Sequence, residues 1–346
     1  MEENLEAGNK YFQQGEKAAS KSFFRKPDWD LAASYFENAA TNFKIAQSYK
    51  LAVGAYEKAS DAYFKSDGIH LAGKALENAA FILNQNLNDP KRAASAYQRA
   101  SNYFMAQGTI DRAAEQLEKA GRALENVDMN ESFEMYSKAC SLYEQEDRGR
   151  FAIEIFKRAI SLLIRNKKQV IIICVYDKAI DMLKRESVIL QKFTARSQLY
   201  KANLSILILI FAIGDDVEAS KQFNNMCGEE AEIAENMLKA FDERDQELLV
   251  KTTGSQHMTF LDNQVVKLAR MLVVPGEVLS PASLNRHEIN GSGNNVRPSG
   301  HYQGAAADSS VRGMSHVQAR DALYSRPKPP TANYGNDDDD DTEGLR

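Results

Sequence analysis

Ala52-Val53-Gly54-Ala55-Tyr56-Glu57-Lys58-Ala59-Ser60-Asp61-Ala62-Tyr63 decides the fold. Its small residue at 52, ring at 56, alanine at 59 and ring at 63 are separated from the first by offsets of 4, 7 and 11. Those offsets hold one face of an α-helix and no face of a strand. The central part, a large apolar residue followed three positions later by alanine, recurs along the chain. It appears at Phe36 to Ala39, Leu76 to Ala79, Tyr97 to Ala100, Leu117 to Ala120, Tyr136 to Ala139, Phe156 to Ala159 and Tyr176 to Ala179. Successive alanines lie 19 to 21 residues apart. The small residue recurs at Ala32, Ala72, Ala93, Ala113, Ser132 and Ala152, with Ile172 the exception. The last large residue recurs as Phe43, Leu83, Phe104, Leu124, Tyr143, Leu163 and Leu183. Small residues let neighbouring helix backbones approach, and large ones fill the space between them.

A period near 20 residues leaves about 14–16 residues of helix and a short turn, the usual connection between antiparallel helices. Pairs of units make hairpins that stack as an α-solenoid. Breakers fall where turns are needed: Lys26-Pro27-Asp28, Ser66-Asp67-Gly68, Asn88-Asp89-Pro90, Gln107-Gly108-Thr109 and Asp147-Arg148-Gly149. The half-motif resembles one helix of a tetratricopeptide repeat, but the repeat length and the missing W-x2-L-G-x2-Y run depart from that consensus. The expected fold is therefore all-α and TPR-like. After residue 185 the phase is lost. A longer helix is expected over Val188 to Ile213, then shorter ones near Val217 to Cys227, Glu229 to Phe241, Arg244 to Lys251 and Phe260 to Val273. The expected organisation is a solenoid over 1–187 and a helical bundle capping its open end over 188–276. Residues 277–346 form a tail with an acidic end.

Composition supports that division. Only Pro27, Pro90 and Pro275 precede residue 276, whereas the last 71 residues hold 27 of Gly, Pro, Ser and Asn together. Such a segment has little to bury and is expected to be disordered. The net charge of −5 argues against a general nucleic-acid binder. Three scattered cysteines, Cys140, Cys174 and Cys227, make neither a disulfide framework nor a zinc site, so a reducing compartment is expected. The start, Met1-Glu2-Glu3-Asn4-Leu5, lacks the basic and apolar regions of a signal peptide. The apolar runs Val170 to Tyr176 and Ile206 to Ile213 are far shorter than the ~20 residues of a spanning helix and read as buried segments. A cytoplasmic chain is expected.

No nucleotide, hydrolase or metalloprotease motif occurs, and the five histidines are isolated. The chain reads as a non-enzyme that needs no metal or cofactor, with its function on surfaces. Three surfaces stand out. In Lys21-Ser22-Phe23-Phe24-Arg25-Lys26-Pro27-Asp28-Trp29, two phenylalanines among cations suit either insertion at an anionic membrane or closure of the first helix pair. Lys157, Arg158, Arg165, Lys167, Lys168, Lys192, Arg196 and Lys201 gather cations around the later repeats; they suit an acidic partner or plain solvation. Five aspartates and Glu343 precede Leu345-Arg346, and acidic tails commonly only solvate.

Several segments resemble the soluble NSF-attachment proteins (SNAPs), adaptors between SNARE complexes and the N-ethylmaleimide-sensitive fusion ATPase, and the gamma branch in particular. They are Lys26-Pro27-Asp28-Trp29-Asp30-Leu31-Ala32-Ala33, Ala123-Leu124-Glu125-Asn126-Val127-Asp128, and Leu261-Asp262-Asn263 through Lys267-Leu268 to Leu272-Val273-Val274-Pro275-Gly276. The resemblance implies an adaptor in SNARE disassembly, membrane fusion and ER–Golgi and other intracellular transport, peripherally attached to membranes. It implies a membrane-attachment loop at Phe23 and Phe24, and a face toward the SNARE four-helix bundle carrying Lys157, Arg196 and Lys201. It implies contacts with the ATPase at Asp242, Glu243 and Leu345. A further acidic contact of the alpha branch falls on Ala212, with Asp215 and Asp216 close by. The alternatives are a TPR-like scaffold for another peptide or helical partner, or the helical subunit of a heteromeric enzyme.

Overall fold

The computed structural model describes residues 1–21, 26–165, 172–224, 226 and 229–276. Among the described residues are fourteen α-helices, two short 3-10 turns and no strand. The first seven are α1 (Glu2–Ala19), α2 (Trp29–Ile45), α3 (Tyr49–Lys65), α4 (Ile69–Gln85), α5 (Pro90–Ala106), α6 (Ile110–Leu124) and α7 (Met129–Gln145). After a 3-10 turn at Gly149–Ala152 come α8 (Ile153–Arg165), α9 (Ile172–Lys192), α10 (Arg196–Ile213), α11 (Asp216–Phe223), α12 (Glu229–Asp242) and α13 (Gln246–Thr253). A second 3-10 turn at Gln256–Phe260 leads to α14 (Asn263–Ala269). Each helix from α1 to α9 packs against the next, as a TPR-like solenoid requires. All eight anchor alanines, from Ala39 to Ala179, are 0% exposed, so the repeat marks the seam between helices.

The turns repeat as faithfully as the helices. Gln47, Asp67, Asn88, Gly108, Asp147 and Thr194 take positive φ just past a helix end. The amides after all six donate back to the last large residue of the template or its equivalent. These bonds are Ser48 N to Phe43 O (2.8 Å), Gly68 N to Tyr63 O (2.8 Å), Asp89 N to Leu83 O (2.9 Å), Thr109 N to Phe104 O (2.9 Å), Arg148 N to Tyr143 O (2.8 Å) and Ala195 N to Leu190 O (3.0 Å). The left-handed residue turns the chain and satisfies carbonyls that a helix end leaves open. Asp28, Asp89 and Asp128 cap the next helices by accepting the amides of Leu31 (3.1 Å), Arg92 (3.2 Å) and Glu131 (3.1 Å). Ion pairs also reach past the neighbouring helix: Arg92 of α5 to Glu57 of α3 (3.4 Å), Arg112 of α6 to Glu77 of α4 (2.7 Å) and Lys192 of α9 to Asp147 in the turn after α7 (2.9 Å). At the surface each contributes at most about 1 kcal/mol.

Beyond α8 the structure differs from expectation in one element. The helix expected over Val188 to Ile213 is two helices, α9 and α10, because Thr194 at φ 53° turns the chain between them. The turn chemistry of the earlier repeats therefore persists one hairpin further than the alanine pattern. Residue 187, the expected end of the solenoid, lies within α9. Leu204 to Phe211 are buried without interruption, so α10 is apolar on every side. It packs against α9, α11, α12 and α14. Phe211 stacks on Phe241 of α12 with ring centroids 4.1 Å apart. No helix among the described residues is long and apolar enough to cross a membrane.

Glycine substitutions test the seam directly. A Cβ at Gly121 of α6 would stand 2.8 Å from a ring carbon of Tyr136, whereas one at Gly54 of α3 would meet nothing within 4 Å. Tyr136 cannot swing aside: it is fully buried, and its hydroxyl donates to Glu125 Oε1 at 2.6 Å. In an exposed helix, glycine to alanine gains about 1 kcal/mol; overpacking a core costs about 1–3 kcal/mol. Gly121→Ala should therefore lower the melting temperature and Gly54→Ala should hold or raise it. Equal effects would mean that backbone proximity does not set the packing.

Candidate functional site

The SNARE-facing residues expected from sequence come partly together. Lys157 of α8 and Lys201 of α10 line one cleft of about 340 Å³. Ile160, Leu183, Ala202, Leu261 and Val265 supply its apolar walls, and Phe260, 59% exposed, stands at its margin. Lys157 Nζ is held by Glu154 Oε1 at 2.8 Å, and Lys201 Nζ lies 5.5 Å from the centre of the Phe260 ring. Arg196 does not line the cleft. It is exposed as the first residue of α10, where the positive end of the helix dipole disfavours a cation.

The cleft exists because α14 folds back onto α8 and α10. Asp262 caps α14 by accepting the Gln264 amide at 2.8 Å, and its other oxygen accepts the Ser161 hydroxyl of α8 at 2.9 Å. Glu186 of α9 also lines the cleft and is 5% exposed. Sequence reading overlooked it, although the signal was present: Glu186 follows Tyr176, Ala179 and Leu183 on the inward stripe of a helix longer than the repeat. Burial, the dominant cause, raises its carboxyl to about 7. Lys157 opposes that rise and Glu154 adds to it.

A second group is acidic. Asp242 ends α12 and Glu243 follows, both exposed. Asp215 caps α11 by accepting the Glu218 amide at 3.0 Å, and Asp216 begins that helix. Partial loss of water raises the Asp216 carboxyl above its ordinary range, and the charges of Asp242 and then Asp215 raise it further. The two acidic segments thus feel each other. Asp215 and Asp216 suit a helix N-terminus, but Asp242 and Glu243 stand at a C-terminus, where the dipole disfavours anions. Glu243 also lines a depression with Arg244, Asp245, Gln246 and Glu247, and with Pro275 and Gly276, the last described residues. Phe23, Phe24 and Leu345 lie outside the described residues. Among those described, no cluster of His, Cys, Asp and Glu is arranged to hold a metal ion.

A family model described as soluble NSF attachment protein, SNAP, matches residues 6–260. The chain belongs to this family. A gamma-soluble NSF attachment protein of Dictyostelium discoideum is 29% identical over 283 residues, covering 79% of this chain and 85% of its own. One of Arabidopsis thaliana is 29% identical over 252 residues, covering 71% of this chain and 84% of its own. An alpha-soluble NSF attachment protein of Vitis vinifera is 25% identical over 151 residues, covering 42% of this chain and half of its own. The gamma-type likeness therefore spans most of this SNAP chain, and the alpha-type likeness less than half.

The buried acid of this SNAP gives a prediction with a definite sign. A carboxyl raised on folding binds more protons in the native state, so it lowers stability as pH climbs from the ordinary carboxyl range to about 7. Above that pH the cost is complete and on the order of 3 kcal/mol at most. Glu186→Gln should raise the melting temperature at pH 8 and leave it unchanged near pH 4. A difference of the same size at both values would assign the effect to packing instead.

Proposed function

We propose that this SNAP-family protein is a non-enzymatic adaptor, which binds assembled SNARE four-helix complexes and recruits the N-ethylmaleimide-sensitive fusion ATPase that takes them apart. The SNARE-facing surface is the side of α8 and α10 that carries Lys157 and Lys201, with Arg196 beyond the cleft. The ATPase-facing surface is the acidic end built from Asp242 and Glu243, with Asp215 and Asp216 beside them. Phe23 and Phe24 attach the chain to membranes peripherally, and Leu345 promotes ATP hydrolysis once the body is docked. The observation that carries this reading is the acidic end of α12. Carboxylates there oppose the helix dipole, and the charge of Asp242 acts on Asp216 of a second acidic pair. Charges held at such a cost suit a basic partner surface.

Reversing Lys157, Arg196 and Lys201 to glutamate should weaken binding to a preassembled SNARE complex about tenfold or more at low salt, and flatten its salt dependence. Helicity should stay constant, since exposed charge changes rarely disturb a fold. Unchanged low-salt affinity would move the binding face elsewhere.

Recruitment and stimulation should separate. Asp242→Lys with Glu243→Lys should abolish co-sedimentation of the ATPase with SNARE complexes. Leu345→Ala should leave co-sedimentation intact and lower ATP turnover, by roughly tenfold if the leucine loses 1–3 kcal/mol of apolar contact. Turnover equal to the parent chain's would make the tail a solvated linker.

A further inference from the structure

Glu186 lines the cleft between α8, α9, α10 and the start of α14, yet it forms no hydrogen bond or ion pair among the described residues. The native cations nearby make their close contacts with other groups, Lys157 with Glu154 at 2.8 Å and Lys201 over the Phe260 ring, while the Lys157 charge still acts on Glu186. Asp262, the other carboxylate of the cleft, is satisfied by the Gln264 amide and the Ser161 hydroxyl. A residue only 5% exposed thus presents its carboxylate to an open cleft without a hydrogen bond among the described residues, although Lys157, Gln198 and Lys201 also line that cleft.

We infer that this cleft receives an arginine side chain of the SNARE bundle, its guanidinium paired with Glu186 and its alkyl stem lying against Ile160, Leu183 and Ala202. The inference rests on the SNARE-binding reading above and names the chemistry of that contact. A planar guanidinium gives a carboxylate two parallel hydrogen bonds, and its apolar stem tolerates burial. A volume of about 340 Å³ admits such a side chain. Lys157 and Lys201, at the margins, then meet carboxylates that flank the arginine on the partner's helical surface. The recognised pattern is a cation between two acids, about one helical turn to either side, rather than acidic charge alone. Such a pattern would supply register along a helical bundle.

The test uses Glu186→Gln in the full chain, because this change relieves the buried charge while removing the pair. Two properties should move in opposite directions: the melting temperature at pH 8 should rise, and affinity for a preassembled SNARE complex should fall about tenfold or more. A purely structural role would move both together or leave binding alone. The second probe is ethylguanidinium, titrated against methyl resonances of Leu183 and Ala202. Saturable shifts are expected in the parent chain and not in Glu186→Gln. If the parent chain fails to bind SNARE complexes, the adaptor reading is lost while the ethylguanidinium titration still decides the cleft. Equal SNARE affinity of parent and variant, or ethylguanidinium shifts that are absent or the same in both, would overturn the inference and leave a water-filled cleft.

Discussion

Everything regular in this protein follows from how closely its helices approach. Alanine at the anchor of each repeat, and glycine at places such as Gly121, removes the side chain that would hold two backbones apart. The large residues three positions before and four positions after each anchor then reach across the seam instead of propping it open. A solenoid built this way depends on neighbours: each helix buries its stripe only because the next presents a matching one. The turns obey the same constraint. The left-handed residues at 47, 67, 88 and 108 recur at nearly the helix period, and the carbonyl that ends most helices belongs to the last large residue of the seam. Packing and chain reversal are therefore set by the same few positions.

Function is read where that regularity gives way. Helix α9 runs past the usual repeat length and carries Glu186 inward on the stripe of Tyr176, Ala179 and Leu183. Helix α10 has no polar face along Leu204 to Phe211 and is enclosed by later helices, so α14 comes to lie against α8. The cleft, its lysines and its buried acid result from that return of the chain. Helix α12 ends in carboxylates that its own dipole opposes. Both places hold charges that folding alone would not select, and that is the physical ground for assigning them to partners.

The helical repeat was fully legible in the sequence because its signal is periodic and its residues are extreme in size. The turn at Thr194 was not, since neither Phe193-Thr194-Ala195 nor its flanks contain glycine or proline, and the left-handed residue is an ordinary one. Lys157 and Lys201 were found by likeness to a known family; that they share a cleft depends on Asp262 reaching Ser161, a contact across 101 positions that no local pattern reports. Glu186 was open to discovery as a charge on an apolar stripe, but it falls just beyond the point where the alanine phase is lost. The acids at 215–216 and 242–243 were each visible as charge, and only the fold makes them one surface.

The central claim is that this chain joins two other assemblies through separate surfaces. Its most direct test is the sedimentation of the fusion ATPase with preassembled SNARE complexes, in the presence of nonhydrolysable nucleotide, as this protein is titrated in. The account predicts that the ATPase pellets with SNARE complexes only when the protein is present, and in saturable proportion to it. ATPase that stays in the supernatant at saturating protein, or pellets equally without it, would contradict the account.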